Sequence, residues 1–133
     1  MSSIFAIEYI YANGEKLTVT NKSFTESVKM VLNGTFIKRG TPIKVFFPST
    51  KKTLYFDDDY FRQYIQGNLD QSELIELTEC DGLYRNKIEI ETKKYLEVEH
   101  GSLWKKQGNN FILIDKDDYI EVTAEDMRLF QEV

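Results

Sequence analysis

Cysteine, histidine and tryptophan occur once each in this chain, and proline only twice. A single thiol, Cys80, rules out an internal disulfide, so packing alone must hold the fold, as suits a reducing compartment. One cysteine and one histidine, His100, cannot close a tetrahedral zinc site without carboxylates. Cys80 sits in "TECDG", among acids that disfavour a thiolate. "NGTFIKRG" has neither the GK[ST] ending nor the G-x-G-x-x-G spacing of a phosphate loop. No run approaches the roughly 20 apolar residues of a membrane span. The opening "MSSIFAIEYIYANGEK" lacks the basic and apolar regions of a signal peptide. These absences predict a cytoplasmic, non-enzymatic protein with no cofactor, no metal and no membrane partner.

What is present is an ordinary globular inventory. The 133 residues are 41% hydrophobic and 14% aromatic, with seven glycines, which predicts one domain spanning residues 1–133 with a core of its own. Charge is unevenly spread beneath the net −5. Residues 1–56 hold eight Lys and Arg against three Glu, whereas residues 57–133 hold nine against nineteen acids. Such asymmetry suits either a polyanion-facing surface backed by an acidic one, or charges that interleave once the chain folds.

"FAIEYIYANGEKLTVT" sets Asn13-Gly14 between two β-rich runs and predicts a hairpin with a two-residue turn, Tyr11 facing Lys16 and Ile10 facing Leu17. Ser23 and Glu26 make a capping box, and Phe24, Val28, Val31 and Leu32 share a helical face that ends at Asn33-Gly34. Ile43–Phe47 and Thr53–Phe56 read as strands joined by "PSTKK", with Pro48 at a strand end or edge. In "DDDYFRQYIQGN" the aspartates begin a helix: Asp57 or Asp58 caps it, and Asp59 meets the positive end of its dipole. The competing reading, a hard-cation site, requires oxygens from elsewhere, and "DKDD" at 115–118 lacks the glycine and distal glutamate of an EF-hand loop.

"ELIELTEC-DG-LYRNKIEIE" repeats the hairpin grammar. "KYLEVE", "SLWKK" and "NNFILID" give further strands, and Thr123 with Asp126 caps a last helix. Together these predict an α+β fold: a small, mostly antiparallel or mixed β-barrel with two or three packed helices.

The segment "KRGTPIKVFFPSTKK" contains Lys38, Arg39, Lys44, Lys51 and Lys52 and no acid, interleaved with Phe46 and Phe47. Cations for phosphate and rings for unstacked bases are what single-stranded RNA requires. Phe46 and Phe47 point to opposite faces of a strand, so at least one belongs to the core. Trp104, beside Lys105 and Lys106, is either a core anchor or a second stacking platform. The run "SVKMVLNGTFIKRGTPIKVFFPSTKKTLYFDDDYFRQYIQ", residues 27–66, resembles the small PrgU-type proteins of enterococcal pheromone-responsive conjugative elements. That resemblance, carried by the N-terminal half, implies a PUA-like fold and an RNA-binding regulator that restrains production of element-encoded surface adhesins. In PUA domains a helix and the glycine-containing loop after it help contact RNA, which implies roles for Asn33, Gly34, Lys38, Arg39 and Gly40. The acidic total departs from a typical PUA domain. The rival reading is a mobile-element module that blocks a protein partner through its acidic half, notably "DKDDYIEVTAEDM".

Overall fold

The computed structural model of the chain describes residues 6–33, 40–92, 94, 97–114, 116 and 118–133. Two compact units divide it, Met1–Glu79 and Cys80–Val133. Among the described residues ten strands form two antiparallel five-stranded sheets that stay open, so the expected barrel is corrected to a pair of sheets. Closure depends on the first and last strands of one sheet pairing, and among the described residues no such pairing joins the ends of either sheet.

The first unit opens with β1 (Ala6–Tyr11) and β2 (Lys16–Thr20), the expected hairpin in a different register. Tyr9 faces Leu17 and Ile10 faces Lys16. The connection is a three-residue loop, Ala12 to Gly14, closed by the Tyr11 N–H donating to the Glu15 carbonyl at 2.9 Å. Gly14 takes φ +88°, the left-handed geometry that completes such a loop at no steric cost, and Asn13 Oδ1 accepts the Glu15 N–H at 3.0 Å. One extra loop residue exchanges the faces of every β2 side chain relative to a two-residue turn.

Helix α1 (Phe24–Leu32) begins at Ser23, whose hydroxyl accepts the Glu26 N–H at 3.1 Å. The strands β3 (Pro42–Phe47) and β4 (Lys52–Tyr55) follow, with Pro48 just past the end of β3. Helix α2 (Asp58–Ile65) is capped by Asp57, which accepts the Tyr60 N–H at 3.0 Å. Asp58 and Asp59 in its first turn bind Arg62 and Gln63 at 2.8 and 3.2 Å. The aspartate triplet therefore starts a helix. "ELIELT", expected as a strand, is instead helix α3 (Gln71–Thr78), because Asp70 and Glu73 form a complete capping box at its start. A two-residue strand, β5 (Glu79–Cys80), ends the first sheet, whose order is β2-β1-β3-β4-β5.

All three helices pack on one face of that sheet. Ile7, Tyr9, Tyr11, Val19, Val45, Leu54 and Phe56 meet Phe24 and Val28 of α1, Phe61 of α2 and Leu74 of α3 in a single core. Each fully buried large side chain contributes roughly 1.5–3 kcal/mol. Tyr9 lies at the centre, and its hydroxyl is satisfied by Ser27. Thr25 Oγ1 and Tyr64 OH, 2.6 Å apart, tie α1 to α2.

The second unit contains β6 (Gly82–Asn86), β7 (Leu103–Gln107), β8 (Asn110–Leu113), β9 (Tyr119–Glu121) and β10 (Phe130–Glu132), ordered β10-β6-β7-β8-β9. Asp81-Gly82 is not a hairpin turn; the chain leaves the first sheet there and enters the second. Of "KYLEVE", an isolated bridge pairs Val98 with Ile90. The expected terminal helix is a short 3-10 turn, Asp126–Leu129, that gives way to β10. Its capping pair is present: Thr123 and Asp126 exchange backbone-to-side-chain bonds at 3.2 and 3.3 Å. The core here comprises Val98, Trp104, Phe111, Leu113, Val122 and Phe130.

Candidate nucleic-acid interface

Register decides which side chains share the face of the first sheet opposite the helices. One cross-strand row runs Lys16, Ile10, Lys44, Tyr55 from β2 to β4; the next runs Thr18, Glu8, Phe46, Thr53. Ile10, Phe46 and Tyr55 lie outside the helix-packed core and are half-buried. The intervening positions carry that core: Tyr9, Val45 and Leu54 form the matching row on the other face.

Two contacts organise this face. Lys44 is 8% exposed, flanked by Ile10 and Tyr55, and its Nζ lies 5.8 Å from the Phe46 ring centroid. At that distance the ammonium is held by the ring's negative face, and its aliphatic stem covers neighbouring apolar surface. Glu8, the acid on these two rows, is paired with Lys16 at 3.4 Å. Lys44 is thereby turned to the ring rather than to solvent, and the half-buried Phe46 and Tyr55 rings are the groups on this face that a base could stack on, with exposed Lys16 at its edge.

The β3–β4 turn adds charge at the rim. Lys51 is exposed and adopts φ +58°, a left-handed conformation uncommon for a residue with a side chain. Lys52 shares the core-side face with Phe47 and reaches Glu79 at 4.0 Å. Asn33 caps the C-terminus of α1 and is exposed. Gly40 is exposed with φ +73°, and a side-chain carbon there would meet nothing within 4 Å. Gly34, Lys38 and Arg39, expected to join them, lie outside the described residues.

Trp104 corrects one expectation. It is 0% exposed, its ring edge-on to Phe130 at 5.8 Å, and its indole N–H is taken by Asn86. A ring with no exposed surface cannot stack on a base, so Trp104 is a core anchor. Lys105 and Lys106 are half-buried on β7 of the second unit, Lys105 facing Leu83 and Ile112 across the strands and Lys106 facing Gly82 and Phe111.

The sequence reading found Phe46 but missed Lys16 and Tyr55. Strand parity was the available signal, and it required the three-residue loop: a two-residue turn places Lys16 with Tyr11 on the core face. Among the described residues no three His, Cys, Asp or Glu side chains gather to hold a metal ion. Nor, among them, is any helix long and apolar enough to cross a membrane. No protein-family model, curated protein or solved structure matches the chain.

Proposed function

We propose that this chain is a non-enzymatic regulator that binds single-stranded RNA on the helix-free face of its first sheet. Phe46 and Tyr55 supply rings, Lys16 supplies an exposed cation on the same face, Lys44 steadies the Phe46 ring, and Lys51 adds charge at the β3–β4 turn. The observation that carries the reading is the row-by-row register that gathers Lys16, Lys44, Phe46 and Tyr55 on one face. An open sheet with rings on one face and helices on the other is a recurrent solution to single-strand recognition, since every base has a flat surface to stack. The charge division between the halves and the resemblance of residues 27–66 to PrgU-type regulators support the same reading. The lone thiol and imidazole give no support to nucleophilic chemistry: Cys80 is buried whereas His100 is exposed.

Fluorescence anisotropy with labelled single-stranded RNA at low salt tests the reading. Binding should saturate and weaken with salt, with a log–log slope of about −0.7 per phosphate contact. Lys51→Glu should shallow that slope, and Phe46→Ala should weaken binding about tenfold, in line with the loss of one stacked base. Absence of saturable binding at low salt, or binding indifferent to both substitutions, would falsify it.

A further inference from the structure

The loop between β1 and β2 holds a reactive pair, and its chemistry does not depend on the RNA reading. Ala12, Asn13, Gly14 and Glu15 are all exposed. Asparagine is among the thermolabile residues, and a following glycine lets it react with its own backbone. The Gly14 nitrogen adds to Cγ of Asn13, a new C–N bond closes a five-membered imide, and the side-chain nitrogen leaves as ammonia with the Gly14 proton. Water then opens the imide at either carbonyl. One opening gives aspartate. The other gives isoaspartate, whose main chain runs through the former side chain and is longer by one methylene carbon. Water is the co-reactant, and nothing is oxidised or reduced.

Two features of the loop favour ring closure and one restrains it. The Glu15 N–H donates to Asn13 Oδ1 at 3.0 Å. That oxygen gathers negative charge as the nitrogen adds to Cγ, so the donor stabilises the tetrahedral state as an oxyanion-hole donor does. Gly14 has no side chain to hinder the attack, and the space where one would stand is open, with nothing within 4 Å. Against these, the Gly14 N–H is held by the Tyr11 carbonyl at 2.9 Å. Releasing one exposed turn bond slows the reaction by about tenfold or less and does not prevent it. We propose that Asn13 is a site of spontaneous deamidation, in which the Glu15 N–H activates the Asn13 amide toward the Gly14 nitrogen. The modification falls where the register of β2 is set. Isoaspartate lengthens the three-residue loop and adds a negative charge beside Glu15, so the hairpin carries a slow chemical clock.

Ageing the folded, intact chain in mildly alkaline buffer, followed by mass mapping of tryptic peptides, tests this. Asn13 is the one amide side chain in the peptide Met1–Lys16, so an amide-to-acid mass gain there reports this residue. Asn33, which also precedes a glycine, falls in a different peptide. Conversion at Asn13 should outpace that at exposed Asn21, where Lys22 supplies a side chain, by about tenfold or more. Isoaspartate, scored with isoaspartyl methyltransferase, should be the main product. The same chain in urea has neither the Glu15 donor nor the turn bond, and the folded rate should lie within about tenfold of the rate there. Asn13→Gln, whose longer side chain closes an imide far more slowly, should abolish the conversion. Aged protein should melt below fresh Asn13→Asp, which gains the charge without the added carbon. Folded Asn13 converting no faster than Asn21, conversion confined to urea, or conversion undiminished in Asn13→Gln would each overturn the inference.

Discussion

The indole N–H of Trp104 donates to Oδ1 of Asn86 at 3.1 Å, inside the second unit, where both residues are almost wholly buried. The same Asn86 uses its Nδ2 to hold the carbonyls of Ile88 at 2.7 Å and Glu99 at 2.9 Å. One amide thus joins β6, the β7 tryptophan and the segment between those strands. Asn86→Ala should cost about 2–4 kcal/mol, because it strands the indole donor and buried carbonyls together. Trp104→Phe, which removes the donor and fills most of the space, should cost less. Urea denaturation of both variants checks the order, and a mild Asn86→Ala effect would show that water replaces the amide.

Adjacent phenylalanines on β3 should separate folding from binding. Phe47 packs against the helix-side core and lies 5.5 Å from the Phe24 ring. Phe47→Ala should therefore lower stability by about 1–3 kcal/mol. Phe46→Ala, on the other face, should change stability by less than about 1 kcal/mol while reducing RNA affinity. Thermal melts paired with anisotropy decide it; equal destabilisation by both would mean that the far face is structural.

Tyr9 makes stability sensitive to alkali. Burial raises its phenol well above the ordinary 10.0, outweighing the opposing effect of the Ser27 hydrogen bond. A group whose folded value is raised contributes stability that is complete below the unfolded value and lost as pH climbs through the folded one. Denaturation midpoints should fall above about pH 10 as unfolding becomes coupled to deprotonation. Tyr9→Phe should flatten that decline, at a cost of about 1 kcal/mol at neutral pH for the lost bond. A decline of equal steepness in Tyr9→Phe would assign the effect to other groups.

Asp57 should matter more than its two neighbours. It alone of the triplet accepts a backbone N–H at the start of α2, whereas Asp58 and Asp59 bond side chains one turn on. Asp57→Ala should cost about 1 kcal/mol, and Asp59→Ala about half that or less. Millimolar Ca²⁺ or Mg²⁺ should leave the melting temperature of the wild type unchanged. A cation-dependent rise that disappears in Asp59→Ala would instead show coordination.

Much of the local structure was readable because it rests on short-range chemistry. Ser23, Asp57 and the Asn13-Gly14 pair act within three or four residues, and each marks an element where the structure has one. Helix α3 was misread because "ELIEL" alternates well enough to pass for a strand. The deciding feature was the Asp70–Glu73 box just upstream. Strands β9 and β10, three residues each, are too short to carry a period and exist only because neighbours pair with them. The candidate interface was half visible for a related reason. Phe46 and Lys51 lie close together in sequence, but Lys16 and Tyr55 join Lys44 only through strand pairing, and one residue in the β1–β2 loop decides the face of Lys16. Trp104 beside two lysines was ambiguous until burial and Asn86 resolved it.

The one-sided packing of the first sheet divides tolerance to mutation along β1. Ile7, Tyr9 and Tyr11 are locked into the helices' side, so almost any replacement there should reduce the amount of folded protein. Ala6, Glu8 and Ile10 are half-buried on the other side, where replacements should weigh less on folding and can reshape the outer face of the sheet. The same strand therefore offers evolution a fixed and an adjustable set of positions, alternating residue by residue.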